Sequence, residues 1–435
     1  MTTVCIIGAG SSGIAAAKTL HENRIPFDCF EKGSGIGGNW RFNNDNGMSS
    51  AYRSLHINTN RNVMAYPDFP MPADYPMFPH HSQIVRYFEA YVDHFGFRDR
   101  IQFRTTVEDV KRLPDGTYRV RTRRPDGTVA EQVYAHVIVA NGHHWNPRYP
   151  DPPFSGTFTG ETIHSHDYKV PDPILNKDVL IVGIGNSAVD IACEAARLHT
   201  GRVTISTRSG AHIIPNWLMN RPFDSLANPL TAKLPLAVQR LLLQTSLLLA
   251  RGRQETYGVP KPNRPLLAEH PTISQDLLNL AGRGLIDFKP NIRAFAGKTV
   301  VFDDNTSAEY DVIIYATGYK VTFPFFREGF FNVEQTNDLQ LYRRVVHPDF
   351  PGLYFLGLVQ PLGAIMPLAE VQSRWIAKLI TGACRLPDRA AMLRCIGEEA
   401  ERNRRRYKQS ARHTLQVDFH PYRESIEREM KVMRR

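Results

Sequence analysis

Two stretches of the chain carry the same pattern of apolar and polar positions. In each, an unbroken apolar run meets a glycine-rich turn and continues as an amphipathic helix. The first opens Val4-Cys-Ile-Ile and turns at Gly8-Ala9-Gly10-Ser11-Ser12-Gly13. The second reads DVLIVGIGNSAVDIACEAARL and turns at Gly183-x-Gly185-x-Ser187-Ala188, followed by Val189 and Asp190. A short apolar run bounded by glycine predicts a strand buried on both faces, and apolar residues at three- and four-residue intervals predict a helix. Two such strand–turn–helix units predict an α/β fold with two Rossmann-like domains. Elsewhere, His81 to Phe95 has helical periodicity. Residues 101–139 alternate as strands with turns at Pro114-Asp-Gly and Pro125-Asp-Gly, and end in VIVANG at Gly142. DVIIYATGY at 311–319 echoes that ending.

The rhythm breaks between Trp217 and Ser274. LPLAVQRLLLQTSLLLARGR, from Leu234, is shorter than a membrane span and is interrupted by Gln239, Arg240 and Gln244. It predicts a buried helix of an insert at about 217–274, with membrane association as the alternative. The C-terminal third returns to short strands (TVVFDD, DVIIYAT, GLYFLG), then a helix after Pro367, all read as completing the first domain. From Glu398 onward eleven Lys/Arg face seven Asp/Glu, the pattern of a solvated, partly helical tail. The expected division is a discontinuous first domain over 1–168 and 290–435, with a second over 169–289.

Each small residue in the turns has a physical task. The first glycine allows the tight turn, the second lets backbone approach a pyrophosphate, and Gly13 or Ala188 lets the helix pack close to its strand. Phosphates then sit at a helix N-terminus, where free N–H groups and the helix dipole favour negative charge. Two such loops predict two dinucleotides. FDCFEK ends its strand in Glu31, whose carboxylate suits two free ribose hydroxyls and repels a 2′-phosphate. RVTISTRSG ends in Thr207-Arg208 with no carboxylate, and a guanidinium suits a 2′-phosphate. The first loop is expected to hold FAD and the second NADPH.

Composition narrows this only slightly. Of 435 residues, 42% are apolar and 22% charged, as in an ordinary globular protein. The five cysteines form no C-x-x-C pair and have no metal spacing, which excludes a disulfide reductase's dithiol and favours a reducing compartment. A net charge of +10 suits anionic cofactors, but no aromatic–basic pattern suggests nucleic-acid binding. The chain runs straight into the Gly8 strand, so no signal peptide is expected.

The residues also carry a family resemblance. Phe158-x-Gly160-x-x-x-His164-x-x-x-Tyr168 lies between the two glycine loops and matches the identifying motif of flavin-containing monooxygenases. Gly37-Gly38-Asn39-Trp40, Ala316-Thr317-Gly318-Tyr319 and HPDFPGLYFLGLVQPLGAI also resemble that family. In the related Baeyer–Villiger enzymes the motif ends in Trp, so Tyr168 favours the flavin-containing branch.

The resemblance implies that NADPH reduces FAD and that dioxygen then forms a C4a-hydroperoxyflavin. This intermediate would oxygenate an amine nitrogen or a sulfide; Baeyer–Villiger oxidation of ketones and a non-oxygenating NADPH oxidase are the alternatives. It implies FAD contacts at Gly8 to Gly13, Glu31, Asn39, Trp40, Asn58 and Thr59, and at Gln360 facing the ring. For NADP it implies Ile57, Asn58, Gly183, Gly185, Ser187 to Asp190 and Arg208, with Thr317 and Gly318 also near a cofactor. Asn58, in Ser54-Leu-His-Ile57-Asn58, corresponds to the family's active-site asparagine; Asn60 is the other reading. Phe158, Gly160, His164 and Tyr168 are expected to order the hinge, and no metal is expected. The expected enzyme is cytoplasmic, without a stable membrane anchor, and compatible with a homodimer.

Overall fold

The computed structural model describes residues 3–198, 201–226, 228–327, 331, 339–407 and 414–432. The chain divides into two compact units, one formed by 1–51, 55–146 and 320–435, the other by 52–54 and 147–319.

The first unit is built on a five-stranded parallel sheet in the order Leu353–Phe355, His136–Val139, Val4–Ile7, Phe27–Phe30, Ile101–Gln102. Its central strand is buried along its whole length, which explains why Val4 to Ile7 show no alternation. The helix Ser11–Glu22 follows the glycine turn and packs along the helix Met366–Ile380. The helix His81–Phe95 turns Ile84, Tyr87, Phe88, Tyr91 and Val92 into the same core, as its periodicity predicts. Thr106–Arg112, Tyr118–Arg123 and Val129–Tyr134 form an antiparallel meander with turns at Gly116 and Gly127.

The second unit repeats the plan. Its parallel sheet runs Glu161–His164, Val312–Tyr315, Val179–Val182, Val203–Ser206, Asp287–Lys289. The glycine turn leads into the helix Asn186–Arg197. The echo between VIVANG and VIIYATG reflects equivalent places in the two sheets. Ala140 N–H donates to Ile7 O at 3.0 Å, and Ala316 N–H to Val182 O at 2.9 Å.

Four expectations change. The unit boundaries fall at 146/147 and 319/320, outside those expected, because Glu161–His164 and Val312–Tyr315 are strands of the second sheet. For the same reason TVVFDD and DVIIYAT belong to the second unit, and of the three strands only GLYFLG, with the helix after Pro367, completes the first. The insert helix Leu236–Arg251 is not a core element, since Leu247 alone is buried while Leu241 and Leu249 are 63% and 74% exposed. The C-terminal segment is more than a solvated tail. Ile426 is fully buried, and the Tyr422 hydroxyl donates to Arg343 O at 2.8 Å while accepting from Gln372 Nε2 at 2.6 Å. A charge count does not see that its apolar residues share one face.

Close packing at the first glycine turn leaves no room for a methyl group. A Cβ at Gly13 would overlap the Gly8 carbonyl oxygen, a backbone atom that cannot turn aside. Gly13→Ala is expected to yield protein with little or no bound flavin, read from the absorbance ratio at visible and ultraviolet wavelengths. Full flavin loading would contradict this packing.

Candidate active site and nucleotide sites

Gly10 N-caps the helix Ser11–Glu22 with no side-chain cap, so the first-turn N–H groups are left for a ligand. Gly8 holds φ +102°, and a Cβ there would stand 2.7 Å from Ala140 O. Glu31 is buried at the end of its strand. Its carboxylate accepts from Ala9 N–H and Gly33 N–H, both at 2.8 Å, and from Asn46 Nδ2 at 3.1 Å. A carboxylate has about four acceptor directions, so these three donors leave one for a ribose hydroxyl while holding the anion in place. Ala9 is fully buried, and Ser11 and Ser12 are half-buried on the first turn.

Asn39 and Trp40 lie on a short 3₁₀ turn beside the glycine loop, with Gly38 Cα 3.6 Å from a Cβ built at Gly10. The Asn39 Oδ1 accepts from Ser50 N–H at 2.8 Å and Ser50 Oγ at 2.9 Å, so this side chain pins the loop that leads to residue 58.

The two asparagines of that loop separate clearly. Asn60 is fully buried and N-caps the helix Arg61–Met64, its Oδ1 accepting from Asn62 and Val63 N–H at 3.0 and 3.2 Å. Asn58 is half-buried, and its amide makes no hydrogen bond to the described residues. Asn60 is therefore a cap, and Asn58 has an amide left over for a ligand. Thr59 is half-buried beside it, whereas the Ile57 side chain sits in the core and its N–H donates to Pro79 O at 3.0 Å. Only the Ile57 carbonyl remains for a nucleotide. Gln360, half-buried, opens the short strand Gln360–Leu362 in the same unit.

In the second unit Gly185 likewise N-caps its helix without a side-chain cap. Gly183 holds φ +120°, with its missing Cβ position 2.5 Å from Ala316 O. Ala188 and Val189 are buried, so they can meet a ligand only through backbone; Ser187 is half-buried. The expected nucleotide contact at Asp190 looks different here, because its Oδ2 accepts from the Tyr52 hydroxyl at 2.5 Å. Desolvation raises the Asp190 carboxyl to about 6, with Glu194 and Asp276 adding to the rise and the Tyr52 hydroxyl opposing it.

Arg208 lines a cleft of about 430 Å³ with Thr207, Ser209, Gly210, Lys261 and Lys289. Three cations here face one carboxylate, Asp304. Arg208 makes no ion pair among the described residues, so its guanidinium is available to an anion. Sequence reading missed Lys261 and Lys289. Lys289 ends the strand that pairs with Val203–Ser206, a neighbour relation visible only once the sheet order is known.

The motif from 158 to 168 is a folded unit. Phe158 packs against Phe295 with ring centroids 5.7 Å apart. A Cβ at Gly160 would stand 2.6 Å from both Asp311 O and the Phe158 ring, which excludes any other residue. His164 is buried, and its Nδ1 accepts from His166 N–H at 3.0 Å. Burial lowers the ring to about 4, so it is neutral with the proton on Nε2. A ring used this way orders a turn and is not set up to shuttle protons. The Tyr168 hydroxyl donates to Glu194 at 2.6 Å. Thr317 donates to Arg148 O, and Gly318 takes φ +86°. No group of histidine, cysteine and carboxylate side chains suited to a metal occurs among the described residues.

The family profile described as Flavin-binding monooxygenase-like matches residues 1–433. The chain belongs to this family. It is 37% identical to flavin-containing monooxygenase 5 of Rattus norvegicus, over 96% of this chain and 80% of the relative. It is 36% identical to flavin-containing monooxygenase 3 of Homo sapiens, over 97% and 81%. Among solved structures it is similar to S-allyl-L-cysteine S-oxygenase of Allium sativum, with a TM-score of 0.74, 25% identity, and coverage of 99% and 88%. Steroid monooxygenase bound to NADP shares the fold, with a TM-score of 0.67 at 18% identity over 98% and 97%. The chain is thus an FAD- and NADPH-dependent monooxygenase with the two-Rossmann-domain architecture. No helix among the described residues is long and apolar enough to cross a membrane.

Two measurements test this geometry. Arg208→Ala is expected to raise KM for NADPH by about ten- to hundredfold, the value of one charge-assisted contact, with KM for NADH little changed. Equal effects on both nucleotides would remove Arg208 from the 2′-phosphate. At His164, a folded value near 4 against 6.5 means that the unfolded chain takes up the proton first as pH falls. Stability is therefore lost between pH 6.5 and 4. His164→Asn should flatten the acid limb of the thermal-midpoint profile in that window and leave FAD bound; an unchanged limb would mean that His164 is not held neutral.

Proposed function

We propose that the enzyme oxygenates a soft nucleophile, an amine nitrogen or a sulfide sulfur, with FAD on the first glycine loop and NADPH on the second. Supporting this assignment, a carboxylate directly follows the strand beside the first loop, and Arg208 lies two residues past the strand beside the second. Bare helix N-termini at Gly10 and Gly185, and glycines whose missing Cβ would strike backbone, suit a pyrophosphate at each loop. FAD, when bound, supplies the redox chemistry by accepting hydride and activating dioxygen.

The protein's own part is to bind, orient and keep the reacting space dry. Glu31 would hold the ribose and Gly8 to Gly13 the pyrophosphate, with Trp40, Thr59 and Gln360 assigned to the flavin. Ser187 and Arg208 hold NADPH. Asn58 is the residue assigned to the reacting end, since its amide has donors and an acceptor with no hydrogen-bond partner among the described residues. That uncommitted amide, two residues before the Asn60 that caps a helix, is the observation on which the reading rests. Sulfur oxygenation also appears in the name of the Allium sativum relative. Unpaired cysteines support a cytoplasmic setting.

The test is Asn58→Ala assayed with N,N-dimethylaniline, methyl phenyl sulfide and cyclohexanone. NADPH should still reduce the flavin, while product per NADPH falls and hydrogen peroxide accounts for the difference. Coupling equal to wild type would clear Asn58 of this role. Wild-type turnover of cyclohexanone alone would replace the proposal with a Baeyer–Villiger reading.

A further inference from the structure

The segment Tyr52–Ser54 belongs to the second unit, although the chain on both sides of it belongs to the first. Hydrogen bonds hold it there. The Tyr52 hydroxyl donates to Asp190 on the helix that follows the second glycine loop, and Arg53 N–H donates to Lys169 O at 2.9 Å. Lys169 directly follows Tyr168, the last residue of the family motif, and Tyr168 donates to Glu194. Asp190 and Glu194 are four residues apart, so they lie on one face of the helix, each capped by a tyrosine hydroxyl. The two rings meet edge to face at 6.2 Å, and both tyrosines are almost wholly buried.

This arrangement has a direction along the chain. From Ser54 the backbone enters the first unit at Leu55 and reaches Asn58. The far side of Asn58 is fixed by the Asn60 cap. On the near side Ile57 N–H donates to Pro79 O and Leu55 O accepts from His81 N–H at 2.9 Å, and Tyr52 and Arg53 hold the residues just before them.

We propose that Tyr52 is a positioning residue for oxygenation: its hydrogen bond to Asp190 anchors the start of the Asn58 loop to the NADPH-binding helix. On this account the motif's C-terminal end at Tyr168 and Lys169 serves as the other half of the anchor. The inference rests on the proposed roles of Asn58 and of the second loop.

Tyr52→Phe keeps the ring and its packing and removes only the donor. The FAD-loaded variant is compared with wild type for product and hydrogen peroxide per NADPH, using methyl phenyl sulfide, and for the rate of flavin reduction under anaerobic conditions. Product per NADPH should fall about tenfold, the factor a hydrogen bond to a charged acceptor supports. The reduction rate should stay within about twofold, because hydride transfer does not need Asn58. Tyr310→Phe is the control. It also loses a buried hydroxyl bond in the second unit, to Thr204 Oγ1 at 3.0 Å, and should keep wild-type coupling. Asp190→Asn, which leaves the hydroxyl a neutral acceptor, should fall between wild type and Tyr52→Phe, and reads the same effect should Tyr52→Phe fold poorly.

Wild-type coupling in Tyr52→Phe overturns the anchor while leaving the function intact. Equal losses in Tyr52→Phe and Tyr310→Phe also overturn it, since general destabilisation would then explain both. A wild-type enzyme that forms no sulfoxide or N-oxide at all fails earlier, at the proposed reaction.

Discussion

A single steric constraint, used twice, organises this molecule. At Gly8 and at Gly183 the carbonyl oxygen of the residue just past the neighbouring strand, Ala140 or Ala316, crowds the place where a side chain would begin. Each glycine holds a positive φ that other residues rarely adopt. The turn lets the following helix start directly above the strand end with its N–H groups bare. Gly13 and Ala188 then keep that helix close to the sheet. Everything proposed for the nucleotides depends on these two helix starts.

What differs between the two copies is charge. In the first, the Glu31 carboxylate is fixed by three donors and is assigned to the ribose. In the second, Arg208 is joined by Lys261 and Lys289 around one cleft. Three cations gathered by different elements form a stronger anion site than the lone arginine visible in the sequence. The motif between the copies contributes no reacting group. Gly160 packs under a carbonyl, His164 accepts from its own turn, and Tyr168 caps a helix carboxylate.

Much of this was legible in the sequence. Both glycine loops, both strand ends and the helix at His81–Phe95 follow from local periodicity and local turn chemistry, and local rules suffice for them. The choice of Asn58 over Asn60 was carried by the family resemblance, and the cap that Asn60 forms on Arg61–Met64 is a structural use of that residue that the sequence did not show. The errors lay where distant parts of the chain meet. The strands Glu161–His164 and Val312–Tyr315 pair with one another across a long sequence separation, so the boundaries were drawn too far inward. The leucine run of Leu236–Arg251 was read as core from composition, whereas burial depends on what packs against a helix. Tyr52 and Lys289 escaped notice for the same reason, since their partners are far away in sequence.

The central claim is that two nucleotide sites serve one oxygen-transfer reaction. Turnover of N,N-dimethylaniline or methyl phenyl sulfide with NADPH under ¹⁸O₂ tests it most directly, with the product analysed by mass spectrometry. The account predicts one ¹⁸O atom in the N-oxide or sulfoxide for each NADPH consumed in coupled turnover. Steady NADPH oxidation with unlabelled substrate recovered and all the label in hydrogen peroxide would contradict it.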